Sequence, residues 1–412
     1  MANPHRTVTE SEIKIAALKL LSYCSANDWA GYDPYDALNS RVFQALSFLD
    51  FRIPRLILTQ VLKRNPINIR PLALVPKRQN PKAIALFLSA FVNLSKVGIA
   101  DGDSLIELMI ERLVALRSQN AAYWCWGYSF AWQTRDRIVT SGAPNLVCTT
   151  FAANALLDAY ELRHDPRCLM MATSAADYIL NDLYWTESET SAGFSYPLPS
   201  FRILVYNANF LASALLCRVY RLTGERKFLG PALRAARCSA ANQNSDGSWC
   251  YGDGKAQEWI DNFHTGFNLC ALRSIGRYAE MTEFESCIQR GFKFYRDHFF
   301  RADGAARYFH NSTYPIDIHA VAQSIITPLA INPLDPVNID LSRRALRWAM
   351  EHMWDDRGFF YYRVLRLWTV RISYMRWSQA WMLLALSALL NQSSECEDQK
   401  LRNSEAPLEV SR

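Results

Sequence analysis

The sequence predicts an all-α fold, an (α/α)6 toroid of six to seven helical hairpins closed into a ring, with short β-hairpins at its rim. Three observations predict it. A motif of small residue, aromatics, polar cluster and apolar helix recurs five times, and a second helical pattern with one wet face lies between the copies. No stretch rich in Gly, Ser or Pro divides the chain. With 412 residues, half of them hydrophobic, there is enough apolar surface to bury one large core, which excludes a disordered chain.

Taken in order, SEIKIAALKLLSYC precedes PYDALNSRVFQALSFL as a first helix pair, and the Pro-containing stretch from Asn65 to Pro81 reads as a long loop. The run from Ala83 to Leu94 is apolar but too short to cross a bilayer, which takes about 20 residues, so it reads as a buried helix and no membrane span is expected. DSLIELMIERLVALRS follows it. Then come the five copies: YWCWGYSF before PNLVCTTFAANALLDAY, GFSYPLP before VYNANFLASALLCRVY, GSWCYGDG before IDNFHTGFNLCALRSI, GAARYFHN before IDIHAVAQSIITPLA, and GFFYYRVLRLW before SYMRWSQAWMLLALSALL. Their aromatics at Trp126, Phe194, Trp249, Tyr308 and Phe359 fall at a hairpin-repeat spacing of roughly 50 to 70 residues.

Between the copies, segments such as ERKFLGPALRAARCSAANQ and NIDLSRRALRWAMEHMW place apolar residues at i, i+3, i+4 and i+7, as outer helices with one solvated face require. The helices that open each copy are small or apolar almost all round, which suits an inner ring. Twelve to fourteen helices result. Residues 1–392 form a single toroid domain, and the polar stretch 393–412 reads as a disordered tail.

The net charge of +6 comes without a run of like charges, so no nucleic-acid footprint is expected. The start lacks an apolar run after its basic residues, which predicts a cytoplasmic protein. Ten cysteines stand singly, with no CxxC pair and no Cys/His cluster at metal spacing, so free buried thiols, no metal and no cofactor are expected.

In such a ring every inner helix starts at the same end, so the polar clusters preceding them converge on one mouth. The densest is DGSWCYGDGKAQEWIDNFHTGFN, which places Glu258, Asp261 and His264 in a loop and a first helical turn. STYPIDIH repeats the pattern one hairpin later with Tyr314, Asp317 and His319. These six are the candidate acid/base residues, although Asp261 and Asp317 also suit helix caps. A zinc site built from His264, His319 and a carboxylate is a minor alternative. Trp126, Arg135, Asp136, Asn207, Trp249, Tyr251, Tyr374, Arg376 and Trp377 are candidate substrate-binding residues. Asp33 and Asp36 in GYDPYD read as a turn ending in a cap. FFYYRVLRLWTVRISYMRW alternates aromatic or aliphatic residues with arginines at a period near two, a strand ribbon over the rim, and arginine beside aromatic faces suits an anionic ring.

The hairpin ring, the GSW-type aromatic turns and the polar helix starts resemble the six-hairpin glycosidase-like superfamily of (α/α) toroids, over about residues 10 to 391. The IDNFHTGFNL helix start is also similar to segments in bacterial proteins of surface-polysaccharide loci and, more distantly, in glucuronyl C5-epimerases. The resemblance implies a carbohydrate-active enzyme acting on an oligosaccharide or polysaccharide, anionic or neutral, in surface-polysaccharide metabolism. Lanthionine cyclases, triterpene cyclases and prenyltransferase subunits would need a Cys-His pair, a DxDD motif and an Asp…Cys…His zinc set, respectively; the first two are absent, and the third cannot be assembled convincingly.

Two mechanisms compete within that reading. Hydrolysis with inversion needs two carboxyls about 6.5 to 9.5 Å apart, Asp261 or Glu258 as acid and Asp317 as base. Epimerisation or β-elimination at a uronate needs Arg376 with Arg135 on the carboxylate, His264 or His319 to take the proton and Tyr314 to return one. A non-catalytic sugar-binding or scaffolding toroid is the reading from another class.

Overall fold

The computed structural model describes residues 7–99, 102–134, 137–188 and 191–405, from residue 394 as backbone only. Its first seven α-helices are α1 (Glu10–Ala26), α2 (Arg41–Ala45), α3 (Arg52–Arg64), α4 (Pro81–Lys96), α5 (Gly102–Ala115), α6 (Leu146–Arg163) and α7 (Pro166–Tyr178). The other seven are α8 (Tyr206–Thr223), α9 (Leu229–Ala240), α10 (Asn262–Tyr278), α11 (Glu285–Phe299), α12 (Ile318–Ile331), α13 (Pro336–His352) and α14 (Ala380–Glu405).

Six helices form a closed inner ring. Helix α4 packs on α6, α6 on α8, α8 on α10, α10 on α12, α12 on α14, and α14 returns to α4. Each inner helix carries one outer partner: α5, α7, α9, α11 and α13 for the first five, and α1 for α14. The fold is therefore a six-hairpin (α/α) toroid, with the inner and outer helices that the two sequence patterns predict. The inner helices are buried nearly all round, as in α4, where twelve of sixteen residues are buried. Close approach is built into the ring: a Cβ on Gly266 of α10 would lie 2.4 Å from Gln323 Cγ of α12, so only glycine fits there.

The N-terminal hairpin differs from the sequence reading. Helix α1 does not pair with the segment after it but crosses the sequence to cover α14, burying its stripe of Ile13, Ala16, Ala17, Leu20 and Cys24. The apolar helix α14 needs an outer cover, and α1 supplies it. Residues between α1 and α4 are left as an excursion outside the ring, carrying the short α2, the thirteen-residue α3 and two 3-10 turns, Asp36–Asn39 and Ser47–Leu49.

The segment read as a disordered tail continues α14 as far as Glu405, and residues 406–412 lie outside the described residues. Short antiparallel strand pairs sit where outer helices hand over to inner ones. The arginine-aromatic ribbon is one of them, with Arg363–Val364 pairing both Thr369–Val370 and Ile316–Asp317. Nine of the cysteines are free, and seven of these are buried. No helix among the described residues is long and apolar enough to cross a membrane.

Candidate active site

All six inner helices start at one end, and their caps show it. Asn80, Asn145, Asp261 and Asp317 each accept a hydrogen bond from a backbone N–H of the turn they open, while Val205 and Tyr374 occupy the equivalent place without a side-chain cap. The residues two positions after these six are Lys82, Val147, Asn207, Phe263, His319 and Arg376, and every one lines the same cavity of about 360 Å³. The mouth is thus built by a sixfold repetition of one helix position. The rim hairpins complete it with Tyr35, Tyr128, Tyr196, Tyr251, Trp259 and Tyr308.

Asp261 is the single carboxylate of the lining among the described residues. Its Oδ1 accepts from the backbone N–H of His264 at 3.0 Å, and its Oδ2 lies 2.7 Å from His264 Nδ1 and 3.1 Å from the Trp259 indole nitrogen. A carboxylate can only accept, so Nδ1 carries a proton, and in the neutral imidazole this leaves the lone pair on Nε2. His264 lines the cavity, and no partner for Nε2 occurs among the described residues. One side chain thereby caps α10 and fixes the tautomer of a base.

His319 is buried with neither ring nitrogen partnered. Its ring is stacked on Phe263 at 4.4 Å and on Trp381 at 4.5 Å between centroids. Burial, with Lys82, Arg376 and His264 nearby, pushes its pKa well below the usual value, so it is neutral and offers one N–H and one lone pair. Lys82 is likewise pushed well below the ordinary lysine range by burial, with Arg376 adding to the effect. Its Nζ lies 4.1 Å from the Phe151 ring centroid. Asn207 Oδ1 and the Trp132 indole nitrogen are further buried polar atoms of lining residues without a partner. Such groups are rare in a packed interior, and here they belong to residues that line the cavity. The phenols of Tyr128, Tyr251 and Tyr308 are pushed well up by burial, and that of Tyr196 to about 12, so all remain donors.

The site brings together Asp261, His264, His319, Asn207, Tyr251, Arg376 and Trp377 of the expected residues. The others stand elsewhere. Asp317 is fully buried: Arg363 donates to its Oδ2 at 2.8 and 2.6 Å, while the Trp377 indole and the His319 backbone each donate to Oδ1 at 2.9 Å. It is a cap and an ion-pair partner, saturated and closed to a ligand. Glu258 is exposed beyond the short turn Lys255–Gln257 and does not line the cavity, and Tyr314 lies outside it on the surface.

Trp126 and Trp249 belong to the core rather than to a sugar site. Their indole N–H groups donate to Leu113 O at the end of α5 and to Ser239 O at the end of α9, tying each hairpin to its outer helix. The residues two further on, Tyr128 and Tyr251, reach the cavity instead. Tyr374 is buried away from it, its ring under the Arg70 guanidinium. Arg376 lines the cavity but is already neutralised, donating to both oxygens of Asp33 at 2.6 and 2.8 Å. It is therefore not the free clamp for an anionic ligand that the sequence suggested. Arg135 and Asp136 lie outside the described residues. No group of three His, Cys, Asp or Glu able to hold a metal ion occurs among the described residues.

Lys82 and Tyr196 were missed by sequence reasoning, whereas the tyrosines of GYDPYD read as able to face the mouth, and Tyr35 does line it. The signal was present: Asn80-Pro81 opens α4 as Asn145 opens α6, and aligning the two starts puts Lys82 in register with Val147.

Among solved structures, the chain is similar to unsaturated glucuronyl hydrolase from Streptococcus agalactiae, at 13% identity over 94% of this chain and 95% of that one, with a TM-score of 0.60. It is also similar to cellobiose 2-epimerase from Bacillus thermoamylovorans, at 11% identity over 77% and 90% and a TM-score of 0.57. A third match is a GH76 alpha-mannanase of Bacteroides thetaiotaomicron, at 13% identity over 78% and 87% and a TM-score of 0.54. The chain shares the six-hairpin (α/α) toroid fold with these structures. No protein-family model and no curated protein sequence matches it.

Proposed function

We propose that this toroid is a carbohydrate-active enzyme that moves a proton on and off a sugar carbon, an epimerase or lyase type of reaction, with His264 as the base. The observation that carries this is the Asp261–His264 pair on the cavity wall, with Asp261 the single carboxylate of the lining among the described residues. A two-carboxylate hydrolysis lacks its second member, because Asp317 is sealed by Arg363 and Trp377.

In the proposed step, His264 Nε2 takes the proton from a carbon next to a carbonyl, and the electron pair moves to the carbonyl oxygen. Neutral His319 donates its N–H to that oxygen, which stabilises the charge developing there. Delivery of a proton to the opposite face of that carbon completes an epimerisation, whereas return from His264 to the same face restores the starting sugar with exchange. Asn207, Lys82 and the tyrosine phenols hold hydroxyls, and the aromatic walls stack on the ring. With Arg376 bound to Asp33, a neutral sugar suits the lining better than a uronate. That the fold is shared with a glucuronyl hydrolase, a cellobiose epimerase and a mannanase supports a sugar ligand and leaves the reaction to the site.

Incubation with neutral and uronate oligosaccharides in deuterated water tests the reading. Deuterium entering the sugar without a new reducing end is expected. Cleavage without label on an otherwise intact residue would favour hydrolysis. Silence over the whole panel would favour the non-catalytic binding role.

A further inference from the structure

The excursion between α1 and α4 carries a surface that the ring does not use. Helix α3 (Arg52–Arg64) is amphipathic, yet Leu62 is its only buried residue, and none of its residues joins the hydrophobic core. Ile53, Ile57 and Val61, spaced four apart on one face, are exposed, with Ile57 at 57%. Phe48 and Leu72 protrude from the flanking loops at 73% and 81% exposure, and Leu367 protrudes at 81% from the rim ribbon next to α3. That neighbour is fixed to the helix end, because the Trp368 indole donates to Arg64 O at 3.3 Å.

The same stretch is strongly basic. Residues 41–78 contain Arg41, Arg52, Arg55, Lys63, Arg64, Arg70, Lys77 and Arg78 against a single acid, Asp50, a balance of 8 − 1 = +7 on a chain whose total is +6. Asp50 is taken by Arg55, and Arg70 is buried on Asp36. Arg41, Arg52, Arg64 and Arg78 are exposed and have no acidic partner among the described residues.

We propose that this face lies on an anionic lipid surface. Protruding apolar side chains interleaved with cations match an interfacial helix, whose apolar face enters the headgroup boundary while its cations meet lipid phosphates. A second copy is the poorer occupant, since a twofold contact would set one basic face, with Arg41, Arg52, Arg64 and Arg78 unpaired among the described residues, against another. The docking face adjoins the mouth: Lys63 Nζ donates to Tyr35 OH at 2.8 Å, and Tyr35 lines the cavity beside Trp377. Docking would therefore bring the mouth to the headgroup layer, where a membrane-attached glycan would reach it. The proposal stands apart from the proposed reaction and is tested without it.

The test is co-sedimentation of the full chain with vesicles of phosphatidylcholine alone and of equimolar phosphatidylglycerol and phosphatidylcholine. Binding is expected only to the anionic vesicles, weakening about tenfold on raising salt from low to near-molar. The exposed-face variant Ile53→Glu/Ile57→Glu should lose binding about tenfold or more. Should that variant misfold, Arg52→Gln/Arg64→Gln, which touches no buried group, carries the same expectation. Wild-type protein that stays in the supernatant with both vesicles overturns the proposal, as does undiminished binding by a folded variant. A dimer in sedimentation velocity that Ile53→Glu/Ile57→Glu dissociates, without vesicle binding, also overturns it and assigns the face to a second copy.

Discussion

Asp261 Oδ2 lies 2.7 Å from His264 Nδ1 while its Oδ1 accepts the backbone N–H of the same residue at 3.0 Å. A helix cap and a base-orienting carboxylate are one group. This dual use makes the two functions separable by substitution.

Asp261→Asn keeps an oxygen for the cap, because asparagine caps about as well as aspartate. It removes the anion that fixes the His264 tautomer. Activity should fall on the order of 10²- to 10⁴-fold, while the melting temperature moves little. Steady-state rates alongside thermal unfolding check this, and a large loss of stability with rates retained would mean that Asp261 acts only as a cap.

His319 makes stability depend on pH. Its folded pKa is pushed well below the usual 6.5, so below that value the unfolded chain takes up a proton that the folded chain refuses. Stability is unaffected above 6.5 and falls as pH drops below it, by about 1.4 kcal/mol per pH unit from this group. Phenylalanine fits the stack between Phe263 and Trp381, so His319→Phe should flatten the acid limb by one proton. Chemical denaturation between pH 7 and 5 measures the slope.

Lys82 follows the same logic at higher pH. Burial lowers its pKa well below 10.5, so stability rises with pH toward that value. Lys82→Met should stabilise the fold at pH 7 by about 1–3 kcal/mol and weaken sugar binding, seen as a raised KM. A destabilised Lys82→Met protein would show that the amine is a structural partner instead.

Arg376 and Asp33 are a buried pair, 4% and 5% exposed. Removing one member leaves a buried charge, so Asp33→Ala should cost about 3–5 kcal/mol. The double replacement Asp33→Leu/Arg376→Met should cost much less. Urea unfolding of the wild type, Asp33→Leu, Arg376→Met and the double variant forms the cycle that separates the pair from its burial.

The ring was legible in the sequence because its two helix types differ in periodicity: α12 is small or apolar nearly all round, and α13 leaves charges on one side. The mouth was legible because caps such as Asp261 announce helix starts. The pairing of α1 with α14 was not, since it joins residues at opposite ends of the chain and leaves no local signal. Asp317 and His319 repeat the Asp-x-x-His spacing of the first pair one residue short. That single residue turns the Asp317 carboxylate to Arg363 and Trp377 and frees the His319 ring from it. Spacing located both groups, while burial and partners decided their roles.

The most direct test of the account is deuterium exchange into a turned-over sugar in deuterated water, comparing wild type with His264→Gln. Wild-type protein should label one carbon of the sugar, and His264→Gln should lose at least about 10²-fold of that rate with its fold intact. Undiminished labelling by His264→Gln, or a wild-type reaction that cleaves the glycan and labels nothing, would contradict it.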